Sequence, residues 1–170
     1  MVVATTQPDA LVLRLAAVRA VLDKVTDPEI PILTIADLGV VRDVRLEEGR
    51  VTVVITPTYS ACPAMHAIAQ DIRAALVTAG YCDVQIETAL APAWSTDDLS
   101  AAAHAKLRSV GIAPPAHGAR DKRALLGRDV PCPRCASHQT ERVSEFGSTA
   151  CKALYRCRSC LEPFDYFKCL

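Results

Sequence analysis

The sequence lacks several features that would assign the chain to a common functional class. It has no run of about 18 apolar residues, so nothing in it predicts a membrane-spanning helix. The N-terminus has no basic region followed by an uninterrupted apolar core and a cleavage site, so secretion is not predicted. Aromatic residues are only 5% of the chain and basic residues form no long runs, which argues against nucleic-acid binding.

Net charge is also absent, because 19 Lys and Arg balance 19 Asp and Glu. The balance hides an asymmetry between a net charge of −4 over residues 1–119 and +4 over residues 120–170. An acidic first half and a basic second half would allow pairing between chains, so a homo-oligomer is one alternative.

The chain does contain enough apolar residues for a core, 51% of the total, and eight cysteines. Cysteines without an export signal indicate metal or thiol chemistry in a reducing compartment, so we expect a cytoplasmic protein. The length of 170 residues allows one ordinary domain and a smaller one.

The smaller domain is predicted from two CxxC knuckles, Cys132–Cys135 and Cys157–Cys160, which are separated by 21 residues. Two such knuckles supply the four sulfurs of a tetrahedral metal site, and a segment this short needs a staple to fold. We predict a structural Zn²⁺ ribbon, with a pair of reducible disulfides as the alternative. Four thiolates suit zinc and iron alike, and His138 is close enough to replace one ligand.

The larger domain is predicted from hydrophobic periodicity. Residues 9–25 have the 3.6-residue period of a helix, and residues 40–46 and 50–56 form a hairpin around a Glu-Glu-Gly turn. A second helix over 64–79 and a strand over 82–89 follow. The order α-β-β-α-β predicts a small α+β domain with helices on one sheet face.

A last helix is predicted from Thr96, as its N-cap, to Val110. The prolines, glycines and mixed charges of residues 113–129 indicate a linker. The predicted domains are therefore 1–112 and 130–170, the second being the zinc ribbon.

Cys62 is the first candidate for chemistry, because it lies beside a proline at the start of the second helix. The unpaired N–H groups and the dipole of a helix N-terminus favour a thiolate. Thr58 offers a hydroxyl that could hold the thiolate or a ligand. His66 lies four residues later and could share a metal with Cys62, although a lone helical histidine is more often a surface residue. The alternative for Cys62 is a small buried hydrophobe.

Cys151 and Cys169 remain after the two knuckles are formed. They are either redox or cluster-transfer thiols or packing residues, and we favour a role for Cys151. Asp27 and Glu29 could act as acid/base groups, although carboxylates in a proline-rich loop more often bond the backbone. Cys82 is expected to pack in the protein interior. His104 and His117 are expected to be exposed residues of a helix and of the linker.

Three motifs of the first domain resemble the SufT-type metal–sulfur cluster assembly family: Asp27-Pro-Glu-Ile-Pro31, Asp37-Leu-Gly-Val40 and Thr58-Tyr-Ser-Ala-Cys62-Pro63. That family has an α+β fold and a reactive cysteine in a T-x-x-x-C-P loop. The resemblance therefore implies an iron- or cluster-handling role for Cys62.

Longer strings, covering nearly the whole chain, are similar to the PaaD family of phenylacetate-degradation proteins. They are Trp94-Ser-Thr-Asp97, Gly111-Ile-Ala-Pro-Pro115, Cys132-Pro-Arg-Cys135, Ser144-Glu-Phe-Gly-Ser-Thr-Ala-Cys-Lys-Ala-Leu-Tyr-Arg-Cys157 and Pro163-Phe-Asp-Tyr-Phe-Lys-Cys169. The family implies a cytoplasmic bacterial protein that serves the phenylacetyl-CoA epoxidase, whose components are a diiron oxygenase and an iron–sulfur flavin reductase.

The chain lacks the paired Glu-x-x-His motifs of a diiron bundle, and it also lacks a GxGxxG dinucleotide motif. We therefore do not expect it to be the oxygenase or the reductase itself. The resemblance then implies a non-catalytic accessory protein that matures the iron–sulfur or diiron centre of those partners, through transient iron or a cluster. The alternative is a stoichiometric structural subunit whose ribbon is a docking interface.

Overall fold

A computed structural model describes residues 10–59, 62–115 and 130–168 of the chain. The predicted loose N-terminus, most of the predicted linker, His117 and Cys169 lie outside these residues. The helices are α1 (Ala10–Leu22), α2 (Ala64–Thr78) and α3 (Ala101–Ser109). The strands are β1 (Val41–Glu47), β2 (Arg50–Ile55), β3 (Val84–Thr88), β4 (Ile112–Ala113), β5 (Thr140–Ser144), β6 (Lys152–Cys157) and β7 (Pro163–Phe167).

The first sheet has the order β1-β2-β3 and confirms the predicted α-β-β-α-β domain. The β1–β2 hairpin is antiparallel, and its turn is Glu48-Gly49, both with a positive φ. Helix α2 connects β2 to the parallel strand β3, which is the crossover that parallel neighbours need. The predicted α+β fold is therefore present.

The core of this domain lies between the sheet and helices α1 and α2. Alternate residues of β2 point inward, and Ile68, Ile72 and Leu76 of α2 are fully buried beneath them. Val18 and Leu22 of α1 join the same cluster. The predicted apolar stripe of α1 is shorter than expected, because Leu11 is 46% exposed.

The predicted helix over 96–110 is wrong at its start. A single 3₁₀ turn, Thr96–Asp98, comes first and is capped by Ser95, whose side chain accepts a hydrogen bond from the Asp97 N–H. Leu99 is extended, and α3 then begins with Ser100 as its N-cap. The serines, not Thr96, therefore cap these elements: the Ser95–Asp98 capping box stabilises the start of the 3₁₀ turn, and the extended Leu99 separates the turn from α3.

The second sheet has the order β4-β7-β6-β5 and forms the ribbon domain. Strand β4 pairs in parallel with β7, so residue 113, predicted to open the linker, is hydrogen-bonded into the ribbon sheet. Tyr155 packs against Phe164 and Tyr166 at ring-centroid distances of 5.8 and 5.5 Å to form a small core. The division into two domains with a linker stays a prediction.

Two ribbon side chains are buried against the first domain rather than in the ribbon core. Cys151 and Phe167 belong to the apolar cluster of α1, α2 and the first sheet. Phe167 contacts Trp94 edge-on, at 6.3 Å between ring centroids, and the Trp94 indole N–H donates to the Leu38 carbonyl at 2.7 Å.

Among the helices of residues 10–59, 62–115 and 130–168, none is long and apolar enough to cross a bilayer.

Candidate functional site

The two knuckles converge on one point of the ribbon. The Sγ atoms of Cys132 and Cys160 are 3.7 Å apart, and those of Cys135 and Cys157 are 3.6 Å apart. All four lie within 4.8 Å of one another. A tetrahedron with metal–sulfur bonds of about 2.3 Å has sulfur–sulfur edges of about 3.8 Å, so the four thiols fit a zinc-type site.

The backbone of the knuckles is shaped to support these sulfurs. The residue after each second cysteine, Ala136 and Leu161, has a positive φ of 57° and 64°. The N–H groups of Ser159 and Cys160 approach the Cys157 Sγ at 3.3 and 3.5 Å, which stabilises a thiolate there. His138 is exposed, and the four cysteines form the donor set without it.

Cys62 lies on a second site, at a small cavity where the ribbon meets the first domain. The cavity has a volume of about 10 Å³ and its polar wall is formed by Asp27, Glu29, Thr58, Cys62 and Cys151. Its apolar wall consists of Ile30, Leu38, Val40, Met65, Ile68 and Phe167.

The structure places Cys62 just before α2, whose N-cap is Pro63. Burial raises the pKa of the Cys62 thiol, and the negative charges of Glu29 and Asp27 raise it further. Hydrogen bonds from the Ala64 N–H and the Thr58 hydroxyl act in the opposite direction but do not outweigh burial. The raised pKa is opposite in direction to the expected preference for a thiolate, while the Thr58 hydroxyl favours the charged sulfur. The iron- or cluster-handling roles of Cys62 and Thr58 stay predictions.

Cys151 reaches the same cavity from the ribbon, immediately before β6. Its Sγ donates to the Glu29 Oε2 at 3.6 Å and lies 3.1 Å from the Thr149 hydroxyl. Burial raises the pKa of this thiol to about 11, although the Thr149 hydroxyl lowers it. Both cavity thiols thus carry their protons near neutral pH.

The carboxylates of the first two motifs have structural roles, at Asp27 and Asp37. The Asp27 Oδ1 accepts hydrogen bonds from the Glu29 and Ile30 N–H groups at 2.8 and 2.7 Å, which fixes the proline-rich loop. The Asp37 carboxylate accepts from the Thr34 N–H at 2.9 Å and pairs with the Lys106 ammonium. Glycine is required at residue 39, since φ is 65° and a Cβ would lie 2.3 Å from the Asp98 carbonyl oxygen.

From the sequence, Glu29 is interpreted in the same way as Asp27, but the structure gives the two carboxylates different surroundings. Asp27 takes over the backbone hydrogen bonds of the loop, which leaves the Glu29 carboxylate facing the cavity. Its partner Cys151 is 122 residues away in sequence. No local pattern could have joined them.

Several other candidates lie away from this cavity. His66 is exposed on α2 and does not line the cavity; Met65 does. Cys82, predicted to pack, is exposed, and His104, predicted to be exposed, is buried on α3. His66 therefore does not share the Cys62 environment, because Cys62 precedes the helix and the four-residue spacing does not apply.

Sequence comparisons agree with the two halves of the structure. A family profile described as "Iron-sulfur cluster assembly protein" matches residues 15–88, and one described as "PaaD zinc beta ribbon domain" matches residues 117–168. The chain is 54% identical to an Escherichia coli K12 protein named as a subunit of a "Putative 1,2-phenylacetyl-CoA epoxidase", over 89% of this chain and 90% of that protein.

The chain belongs to the PaaD family. The chain is also 37% identical to the "Fe-S protein maturation auxiliary factor" of Porphyromonas gingivalis, over 45% of this chain and 73% of that protein. A solved structure of a domain of unknown function, DUF59, from Bacillus anthracis matches with a TM-score of 0.54 and 27% identity. It covers 58% of this chain and 94% of its own, so this PaaD-family chain adds a ribbon to a DUF59-type domain.

Proposed function

We propose that the protein is an accessory factor of a phenylacetyl-CoA epoxidase system, not catalytic by itself, which loads the iron–sulfur or diiron centre of its partners. Membership of the PaaD family supports the pathway, and the match of residues 15–88 to cluster assembly proteins supports the role. The partners in this proposal are the diiron oxygenase and the reductase of the epoxidase. Iron or a cluster is then the cargo, and zinc in the ribbon is structural.

The observation that carries this proposal is the position of Cys62. Its thiol lines a cavity that is also lined by a second thiol and by two carboxylates, and Cys62 precedes α2 rather than lying inside a helix or strand. Thiols and carboxylates are ligands for iron. Because an incoming metal must displace the thiol protons, its binding to this site is reversible. The cysteines that the structure describes form no disulfide bonds with one another, which fits a reducing cytoplasm. They are Cys62, Cys82, Cys132, Cys135, Cys151, Cys157 and Cys160.

The test replaces Cys62 with Ala in cells that produce the epoxidase and its reductase. We expect the iron and labile sulfide of the purified partners, and their turnover, to fall severalfold. The matched control is Cys82→Ala, because Cys82 is an exposed thiol outside the cavity. Normal cofactor loading and normal turnover with Cys62→Ala, in a folded protein, would contradict the proposal.

A stable structural component of the epoxidase is the second candidate, and the name of the Escherichia coli relative, which calls it a subunit, favours it. In that case the ribbon is a docking interface and Cys62 is dispensable. Fixed stoichiometry with the oxygenase through successive purification steps, together with full activity of the Cys62→Ala protein, would support this candidate over a transient factor.

A further inference from the structure

The cavity at Cys62 contains donors from both domains. Cys62, Glu29 and Thr58 come from the first domain, and Cys151 comes from the ribbon. The cavity is therefore complete only when the ribbon is packed in place. The burial of Cys151 and Phe167 in the first domain's core holds the ribbon there.

The donors in the cavity are not equally available to a ligand. The Asp27 Oδ1 is committed to the Glu29 and Ile30 N–H groups, at 2.8 and 2.7 Å, so Asp27 shapes the loop. Glu29 accepts from the Cys151 thiol at 3.6 Å, a contact that a metal would replace when the thiol loses its proton. Of the thiols and carboxylates in the cavity, those of Cys62, Cys151 and Glu29 do not hold the proline-rich loop, and these three can coordinate an ion.

The size of the cavity limits what those donors can hold. Its volume of about 10 Å³ corresponds to the space of roughly one water molecule. A single ion matches the space as it stands in the structure. Ile68, Met65 and Phe167 form part of the apolar wall of this space.

The donor types limit the kind of ion. Magnesium and calcium prefer all-oxygen sites, and monovalent copper prefers sulfur alone, so a mixed set favours a divalent transition metal of intermediate softness. Two thiolates and one carboxylate also supply three negative charges to such an ion. Lys152 is the first residue of β6 and directly follows Cys151. Its positive charge acts to lower the pKa of both Asp27 and Cys151.

We propose that Cys62, Cys151 and Glu29 bind a single divalent transition-metal ion, such as Fe²⁺, between the two domains. This inference rests on the proposed function only in taking Cys62 as a metal-handling residue. Binding releases two thiol protons to solvent, forms two metal–sulfur bonds and one metal–oxygen bond, and needs no oxidant or reductant. The ribbon is then part of the cargo site and not only a docking element.

The site differs from the ribbon centre in a way that suits cargo. Among residues 10–59, 62–115 and 130–168, the ribbon cysteines are the one group of three or more donors that already converge within 4.8 Å. The cavity donors must therefore close around the ion when it arrives. A site that is not preformed binds more weakly, which permits release to a partner.

The experiment uses the full chain, reduced, under anaerobic conditions and with zinc in the ribbon, and titrates it with Co²⁺ as the probe. Thiolate-to-cobalt charge-transfer absorption counts the sulfurs on the added ion, while zinc analysis shows that the ribbon metal is retained. The wild type should bind one Co²⁺ per chain beyond the zinc. Cys62→Ser, Cys151→Ser and Glu29→Gln should each weaken this binding by at least about tenfold, whereas Cys82→Ser should not.

The variants separate this inference from the proposed function. Cobalt binding by Cys151→Ser equal to that of the wild type, with Cys62→Ser defective, overturns the two-domain site and leaves the role of Cys62 intact. A wild type that takes up no second ion overturns the inference as well. Trp94 fluorescence and zinc content establish that each variant is folded, and Glu29→Gln tests the site without changing a cysteine.

Discussion

At the scale of single residues, Asp37 connects the loop before β1 to α3. Burial acts to raise the pKa of its carboxyl group, but the Lys106 ammonium and the Thr34 N–H and hydroxyl outweigh burial and lower it. Because the pKa is lowered in the folded state, the charged form stabilises the protein above the unfolded-state pKa of about 3.9. That stabilisation is lost as the pH falls through the lower folded-state value.

We expect Asp37→Asn to lower the free energy of unfolding at pH 7 by about 1–3 kcal/mol, since it removes a charged acceptor. The difference from wild type should shrink as the pH falls below about 4, where the unfolded chain takes up the proton first, and should vanish once the folded-state carboxyl group is protonated as well. Urea denaturation at both pH values measures it. The control is Asp83→Asn, because the Asp83 side chain forms an exposed ion pair with Arg50 at 2.9 Å. Equal effects of the two variants would contradict the role given to Asp37.

At the scale of elements, we expect the ribbon to depend on a metal. Its apolar core is small and is centred on Tyr155, so a metal at the four-sulfur site would supply folding free energy that packing does not. Such a metal would also hold the two knuckles together beside strands β5, β6 and β7.

We expect Cys135→Ser to lower the zinc content below one per chain and to lower the thermal midpoint of the ribbon, as a chelator would in the wild type. A structural zinc in such a segment contributes roughly 10–16 kcal/mol of apparent binding free energy at pH 7. Cys82→Ser is the matched control, since Cys82 and Cys135 are both exposed cysteines. Full zinc occupancy in Cys135→Ser, measured by metal analysis, would rule out the four-sulfur site.

Local patterns predicted most of the elements. The hairpin β1–β2 was predictable because a Glu-Glu-Gly turn separates alternating β-branched residues, and the knuckles were predictable from their spacing. The break at Leu99 was not, because Ser95 and Ser100 each cap a separate short element and only backbone geometry distinguishes them from one helix. The two-residue strand β4 was missed, since only its pairing with β7 makes it a strand.

At the scale of the whole molecule, Phe167 holds the ribbon on the first domain. It is 1% exposed and contacts Trp94, whose indole N–H is bonded to Leu38. Such contacts have long sequence separations, and no sequence period records them. For the same reason the sequence predicted Cys62 and Cys151 separately but could not place them at one cavity.

We expect Phe167→Ala to destabilise the protein by about 3–5 kcal/mol, because it removes a buried ring from the junction. Denaturation followed by Trp94 fluorescence reports it directly, as Trp94 is the only tryptophan. The control is Phe146→Ala, since Phe146 is 61% exposed and its ring centroid lies 4.5 Å from the Lys168 ammonium. Comparable losses from the two variants would contradict the junction.

We propose above that Cys62 holds metal that is passed to an epoxidase component. The most direct measurement loads the zinc-containing protein with radioactive ferrous iron and incubates it with metal-free oxygenase or reductase, in the presence of a chelator for free iron. The account predicts labelled iron in the partner with the wild type and only the chelator blank with Cys62→Ala. Equal transfer from both proteins, or none from the wild type, would contradict it.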